Sequence, residues 1–248
     1  KWRVMRTCGV PEEYVTGKAS FQEKFQRFAA VMPALVGNPI YHWSHLELLR
    51  FFGIEELLDP ASAPAIWDKA NSVLQSPQGT ARALITSSKV RALCTTDDPA
   101  DDLQYHKLLA EDKDFATQVL PTFRPDKILH VENDEYPVYL QKLGAAAGVY
   151  IRTLDDVKTA LKQRLDYFAS CGCRLSDQSF GSPDFTVWDE EAAQEAMNKA
   201  LNGEKPLDYE VAAYQSLLMD FLGGEYAARG FTMQLHLGAL RNLNTLRF

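Results

Sequence analysis

The sequence predicts an α/β fold in which parallel strands alternate with helices. Short apolar segments with the composition of buried strands recur, and polar strings follow them: TTDDP, PTFRPDK, SDQS and HLGALRN. Helical patterns, with apolar residues at steps of three and four, separate these segments. The 248 residues are 46% hydrophobic and 24% charged, a balance that can bury a sizeable core. In parallel β/α folds, the loops at the carboxyl ends of the strands form the active site.

Residues 1–88 are predicted to form a mainly helical region. Helix formers and aromatic residues dominate from Glu12 to about Gln75, with chain breakers at Pro33, Gly37 and Pro39. Apolar residues recur in helical steps at Phe21, Phe25, Phe28 and Val31. We expect several helices joined by short turns.

The first two strands open a second region, 89–248, of β/α units. Val90 to Cys94 is predicted as a buried strand and TTDDP as the loop after it. Asp97 and Asp98 in that loop could offer paired carboxylates, but Asp before Pro is also a common turn opener or helix cap, which we favour. Phe115 to Leu120 is the second predicted strand, and it ends in PTFRPDK.

A strongly patterned helix precedes the third strand. Thr153 can cap this helix, which is expected to end near Cys171. Its expected buried face consists of Leu154, Val157, Leu161, Leu165 and Phe168. The third strand is predicted to begin at about Cys173 and to end in SDQ.

A helical excursion is expected at about 184–229. Its first part, Asp184 to Glu210, is acidic and has the composition of an exposed region. A helix from Tyr209 to Arg229 follows and is expected to stop at Gly230. Its expected buried residues are Val211, Tyr214, Leu218, Phe221 and Leu222.

The last strand lies in FTMQLHLGALRN. Apolar Met233, Leu235 and Leu237 alternate there with Gln234, His236 and Gly238, so one face is apolar and the other is polar. Only four strands are found, whereas a closed barrel needs eight. An open doubly wound sheet could stop at four or five, but a nucleotide-binding variant would be expected to show a Gly-rich turn, and the sequence has neither G-x-G-x-x-G nor a P-loop string.

Four residues at the predicted strand ends are candidates for a site that binds a polyhydroxylated anion. His236 can bind a metal or move a proton, and Arg241 can grip a carboxylate; the alternative is a core histidine and a surface arginine. Asp177 can accept hydrogen bonds or relay a proton, or it can simply be neutralised by Arg174. Arg124, with Asp126 and Lys127, can hold an anion or belong to an exposed turn.

Other compositional features mainly exclude functions. A net charge of -7 gives no reason to bind nucleic acid, and the longest apolar runs are too short to cross a membrane. Four cysteines do not make a disulfide framework, and no secretory leader pattern begins the chain, so a cytoplasmic location is expected. His42 and His45 have a spacing that could bind a metal, but with Tyr41 and Trp43 interleaved we favour packing.

The strings along the chain resemble uronate (glucuronate) isomerase, a divergent member of the amidohydrolase superfamily. They are KWRVMRTCGV, TGKAS, GNPIYHWSHLEL with FGI, TTDDP, VLPTFRPDK, GCRLSD, FLGGEYAARG and MQLHLGALRN, in family order. The resemblance implies part of a (β/α)8 TIM barrel of the metal-dependent hydrolase type, with the helical region inserted near its N-terminus. It also implies reversible conversion of D-glucuronate to D-fructuronate and of D-galacturonate to D-tagaturonate.

By the same resemblance, His236 and Asp177 are the catalytic candidates, and Arg124 and Arg241 hold the hexuronate. The divalent metal, expected to be zinc, would be bound mainly by residues outside this segment, with His236 nearby. Where the family often has His, this sequence has Gln178, an amide that cannot titrate, which puts a proton relay there in doubt.

The resemblance covers an interior half of a family member. We therefore expect the segment to be inactive by itself, and its oligomeric state is left open. The alternatives are a hydrolase of the same superfamily acting on a carboxylated substrate, and an inactive sugar-acid-binding homologue.

Overall fold

The computed structural model describes residues 1–181 and 184–239. Two compact units are present, one formed by Lys1–Val90 and the other by Arg91–Ala239, and each is described by itself.

The first unit is helical. Its core is built around Phe28, Met32, Leu48 and Ile66, all of them buried. The α-helices are α1 (Trp2–Thr7), α2 (Phe21–Val31), α3 (Pro39–Phe52), α4 (Ala63–Leu74) and α5 (Ala81–Ser87), and 3-10 helices cover Glu12–Tyr14, Met32–Leu35 and Pro77–Gly79.

His45 of α3 is structural, whereas His42 is exposed. His45 contacts the carbonyl of Tyr41 through Nδ1 at 2.8 Å, and its Nε2 accepts the backbone N–H of Leu58 at 2.9 Å. Both ring nitrogens of His45 are therefore used in holding the helix, so the packing favoured from the sequence is found for His45.

The second unit alternates strands with helices. Its strands are β1 (Ala92–Cys94), β2 (Gln118–Leu120), β3 (Leu175–Phe180) and β4 (Thr232–Leu237). Its helices are α6 (Gln104–Glu111), α7 (Asp126–Leu129), α8 (Tyr136–Ala147), α9 (Leu154–Ser170), α10 (Glu190–Leu201) and α11 (Asp208–Arg229). The predicted α/β class is confirmed.

All observed strand pairings are parallel, and one residue connects the pairs. β1 pairs with β2, and β3 pairs with β4. Beyond β2, Phe123 forms isolated bridges to Asp97 on one side and to Ser176 on the other. The backbone N–H of Phe123 donates to Leu175, and its carbonyl accepts from Asp177, each at 3.0 Å. The strands therefore follow one another in chain order, with β/α crossovers between them.

Helix α9 forms because its N-terminal cap and the spacing of its apolar residues both favour a helix over Leu154–Ser170. Thr153 caps it in a reciprocal capping box with Asp156, so backbone donors of the first turn are satisfied. Every residue of the predicted apolar face is buried: Leu154, Val157, Leu161, Leu165 and Phe168. Helix α11 ends as predicted at Gly230, whose φ of 64° is the left-handed conformation that glycine adopts most easily.

Several sequence-based predictions need correction. The first strand was predicted as buried over Val90 to Cys94, but it covers Ala92–Cys94 and its first and last residues are exposed. The second strand is shorter than predicted and begins at Gln118. The third strand does not end in SDQ but continues to Phe180, because its pairing with β4 extends that far. The region 184–210 is not exposed throughout, since α10 packs against α11 and buries a small-residue face: Ala193, Ala196, Met197 and Ala200.

A buried arginine ties the loop after β1 to the helical layer. Arg164 of α9 is 7% exposed and donates to three backbone carbonyls, those of Pro99 at 2.7 Å, Asp101 at 2.6 Å and Ala146 at 3.1 Å. Its guanidinium also lies over the ring of Tyr167. Burial lowers the pKa of Arg164, but the carbonyl dipoles supply acceptors for the desolvated charge.

Strand β4 leaves its predicted apolar face uncovered by the described residues. All six of its residues are exposed, including Met233, Leu235 and Leu237. These apolar side chains pair in register with Ser176, Gln178 and Phe180 of β3, which are buried under helices.

Among the described helices, none is long and apolar enough to span a bilayer.

Candidate functional site

Backbone register brings three of the four candidate residues together. Arg124 follows Phe123, the residue bridged to β3, and Asp177 lies inside β3. His236 of β4 lies two residues beyond the register partner of Asp177. Side chains two apart in a strand share a face, so the imidazole can reach the carboxylate diagonally. Asp177 is thus a mid-strand residue and not, as predicted, one at the strand end.

The three side chains form a continuous hydrogen-bonded chain. His236 Nδ1 lies 2.6 Å from Asp177 Oδ1, and Arg124 Nη1 donates to Asp177 Oδ2 at 3.3 Å. The side chain of Asp177 is 10% exposed, whereas those of Arg124 and His236 are 30% and 49% exposed. A nearly buried carboxylate is therefore satisfied on both oxygens by two groups that remain open to a ligand.

Asp126 completes the cluster. Its Oδ2 accepts a hydrogen bond from Arg124 Nε at 2.8 Å, and its Oδ1 accepts the backbone N–H of Ser179 at 3.0 Å. The hydrogen bond from Arg124 to Asp126 raises the pKa of the guanidinium. The sequence interpretation placed Asp126 beside Arg124 as part of an anion site or a turn, but nothing in RPDK indicated that the carboxylate reaches back to β3.

Lys127 turns away from this cluster. It pairs with Asp98 Oδ2 at 3.1 Å, and the other oxygen of Asp98 accepts from the Tyr139 hydroxyl at 3.0 Å and from the backbone N–H of Ala100 at 2.9 Å. Asp98 therefore opens a turn, as favoured from the sequence. Lys127 does not join Arg124 in an anion site.

Asp97 ties two strand ends together. Its Oδ2 accepts from the hydroxyl of Thr95 at 2.6 Å and from the backbone N–H of Thr122 at 3.1 Å. His106 Nε2 contacts the same hydroxyl at 2.7 Å. This network fixes the loop after β1 beside the segment that carries Arg124.

Gln178 does not face the cluster. It is fully buried, and its Nε2 donates to the hydroxyl of Tyr226 in α11 at 2.8 Å. Neighbouring strand residues point to opposite faces, so Asp177 faces the cluster while Gln178 faces the helices. The amide of Gln178 therefore lies in the core, on the face of β3 opposite to Asp177, and is not part of the hydrogen-bonded cluster.

Arg241 lies outside the described residues. Within residues 1–181 and 184–239, no three His, Cys, Asp or Glu side chains come close enough to hold a metal ion. Asp177 and His236 are bonded to each other and offer at most two donors.

The fold and the cluster define a class: α/β proteins whose adjacent parallel strands present a guanidinium, a carboxylate and an imidazole on one face. The chain belongs to the glucuronate isomerase family, whose model matches residues 1–248.

Individual relatives agree with this family. The chain is 48% identical over 248 residues to a uronate isomerase of Clostridium perfringens and 46% identical to one of Caldicellulosiruptor saccharolyticus. All of this chain is aligned in both cases, but only 53% of each relative. The chain therefore spans about half the length of the curated relatives it matches.

Solved structures give the same result. The crystal structure of uronate isomerase from Thermotoga maritima aligns with a TM-score of 0.91 and 36% identity, covering 99% of this chain and 55% of that one. Glucuronate isomerase from Caulobacter crescentus aligns with a TM-score of 0.87 at 21% identity over 99% of this chain and 52% of that one, a likeness of fold.

Proposed function

We propose that this chain is part of a uronate isomerase that interconverts D-glucuronate with D-fructuronate and D-galacturonate with D-tagaturonate. The observation that carries the proposal is the hydrogen-bonded chain from Arg124 through Asp177 to His236. These residues lie far apart in sequence, yet they meet on one face of adjacent parallel strands, and the family match supports the substrate class.

The chemistry is an internal redox transfer. In the open-chain hexuronate, the C2 proton leaves and an enediol forms; a proton is then added at C1, while the hydroxyl proton of O2 moves to O1. The aldehyde carbon is reduced and C2 is oxidised, so no external oxidant is needed. The protein must hold the sugar oxygens and move protons near C1 and C2.

The pair formed by Asp177 and His236 is suited to the proton transfer. An ionised Asp177 accepts the Nδ1–H of His236, which leaves the Nε2 lone pair of a neutral imidazole to accept a proton. The same carboxylate stabilises the imidazolium once it forms. We propose these two as the catalytic residues, without assigning which one takes the C2 proton.

Arg124 and Arg241 are proposed to hold the substrate carboxylate and oxygens. Arg124 is only partly exposed and keeps N–H groups beyond those used by Asp126 and Asp177. A planar guanidinium matches a carboxylate bidentately, which gives both charge and orientation.

The described residues bring no three suitable side chains together, so by themselves they do not fit the metal that is expected for this function. We propose that a divalent metal, zinc by expectation, takes its ligands mainly from residues outside this segment, with His236 nearby. When bound, such an ion polarises a carbonyl.

The fold is proposed to be part of a (β/α)8 barrel with residues 1–88 as a helical insertion and 89–248 as barrel units. Parallel strands in chain order, each returning through helices, support this proposal. The same proposal places the protein in the cytoplasm, which four free thiols support.

The test is a coupled assay of the full-length, metal-loaded protein on D-glucuronate and D-galacturonate, set beside ester and amide panels. Ketose formation is expected from both uronates. Ester or amide cleavage without isomerisation would instead indicate a hydrolase. Glucuronate binding in calorimetry without turnover would indicate an inactive binding homologue.

A further inference from the structure

The guanidinium of Arg124 lies between two carboxylates that engage different nitrogens. Asp126 takes the Nε–H at 2.8 Å, and Asp177 takes one N–H of Nη1 at 3.3 Å. An arginine carries five N–H donors, and within the described ranges Nη2 donates to no protein acceptor. The donors that remain are therefore on the terminal nitrogens, which are the ones suited to an incoming carboxylate.

Asp126 is itself held in place. Its second oxygen accepts the backbone N–H of Ser179 in β3 at 3.0 Å, so the carboxylate is anchored to the strand that carries Asp177. Its side chain is only 25% exposed, so most of the carboxylate is shielded from water. The orientation of Arg124 is thus set relative to β3 by a two-bond connection through Asp126.

Without Asp126, the geometry permits a competing arrangement. Arg124 already touches Asp177 through one nitrogen, and a guanidinium released from Asp126 can rotate to give Asp177 two parallel hydrogen bonds. That rotation would use donors otherwise available to a ligand. It would also place a stronger charge pair on the carboxylate that contacts His236.

We propose that Asp126 is a positioning residue that holds Arg124 Nε so that the terminal nitrogens of the guanidinium face the substrate carboxylate. This inference rests on the proposed function and adds to it a residue that acts only through Arg124. Asp126 itself is not proposed to transfer a proton, because protein donors already occupy both of its carboxylate oxygens.

The test compares Asp126→Asn with unmodified full-length protein. Asparagine keeps an oxygen for the Ser179 N–H, but it places an amide NH₂ against Arg124 Nε, so the fold is retained and the guanidinium is released. We expect the KM for D-glucuronate to rise about 10- to 30-fold with kcat within about threefold, because a carboxylate contact is made in both the bound substrate and the transition state.

Two further variants isolate the mechanism. In an Arg124→Ala background, Asp126→Asn should produce no additional rise in KM, since the residue acts through the arginine. Asp155→Asn, at an acid whose side chain is 89% exposed, is the matched control and should leave both constants unchanged. An unchanged KM in Asp126→Asn, or fully additive effects in the double variant, would overturn the inference.

A crystal structure of Asp126→Asn gives a readout that does not depend on turnover. Two nitrogens of Arg124 are expected on Asp177 in place of one. An unmoved guanidinium would refute the positioning role whatever the substrate. Absence of isomerase activity in the unmodified protein would instead refute the proposed function, so the two failures can be told apart.

Discussion

Replacing Asp177 by Asn tests the cluster most directly. The carboxylate accepts from His236 Nδ1 at 2.6 Å and from Arg124 Nη1 at 3.3 Å. Hydrogen bonds to charged groups contribute about 1.5–3 kcal/mol, against about 0.5–1.5 kcal/mol for neutral ones, so losing the charge weakens each bond by about 1 kcal/mol. The half-exposed imidazole argues for the lower end of this range. The two bonds together give about 2 kcal/mol, or about 30-fold in kcat/KM.

A further loss is expected if the amide NH₂ turns towards His236, because Nδ1 must then become the acceptor and the proton moves to Nε2. The assay is uronate isomerisation by the full-length protein, with thermal unfolding measured in parallel. A variant of Asp177 that stays within about threefold of the unmodified kcat/KM, while properly folded, would show that the cluster does not serve catalysis.

The remaining predictions concern stability and pH. Arg164→Met should lower the free energy of unfolding by about 1–3 kcal/mol, because the buried carbonyl of Pro99 and the partly buried carbonyls of Asp101 and Ala146 lose their donor; chemical denaturation measures it. Gln178→Leu should cost about 0.5–1.5 kcal/mol, because the Tyr226 hydroxyl loses one hydrogen bond and keeps Ser176 as a partner, yet leave KM unchanged. The hydrogen bond with Glu132 raises the pKa of His130 above 6.5; burial opposes ionisation of Glu132, but its bond to His130 lowers its pKa below 4.5. Glu132→Gln should therefore destabilise most between pH 4.5 and 6.5, where both are charged, and less as pH rises through the pKa of His130 or falls through that of Glu132.

Each of these predictions has a contrary result. Arg164→Met with unchanged unfolding would mean that the three carbonyls are satisfied by water. A changed KM in Gln178→Leu would place that residue in the substrate site after all. A destabilisation by Glu132→Gln that does not vary with pH would mean that the ion pair with His130 contributes nothing.

The elements predicted well from the sequence are those with both a cap and a period. Helix α9 has the reciprocal box of Thr153 and Asp156 and a continuous apolar stripe, so its limits and its buried face were both predictable. Helix α10 lies within the predicted helical excursion, but its buried face was not predicted because it consists largely of alanine, whose small side chain gives little hydrophobic contrast with an acidic surface. The small residues matter there because they allow close packing against α11.

The candidate site was predicted in its residue types but not in its connections. Parallel strands were enough to bring Arg124, Asp177 and His236 together. The extent of β3 was not predictable, because it depends on pairing with a strand more than fifty residues away, and the role of Asp126 depends on the same register. The fourth candidate, Arg241, lies outside the described residues and stays a prediction.

The bridges of Phe123 have a consequence for ligand binding. Main-chain hydrogen bonds of Phe123, together with its ring buried against Phe168, hold the backbone beside Arg124 at a fixed spacing from Asp177. That part of the cluster is consequently assembled before any ligand arrives, and ordering it consumes none of the binding free energy. Among the described residues of the cluster, the partly exposed side chains of Arg124 and His236 have the most freedom left to lose on binding.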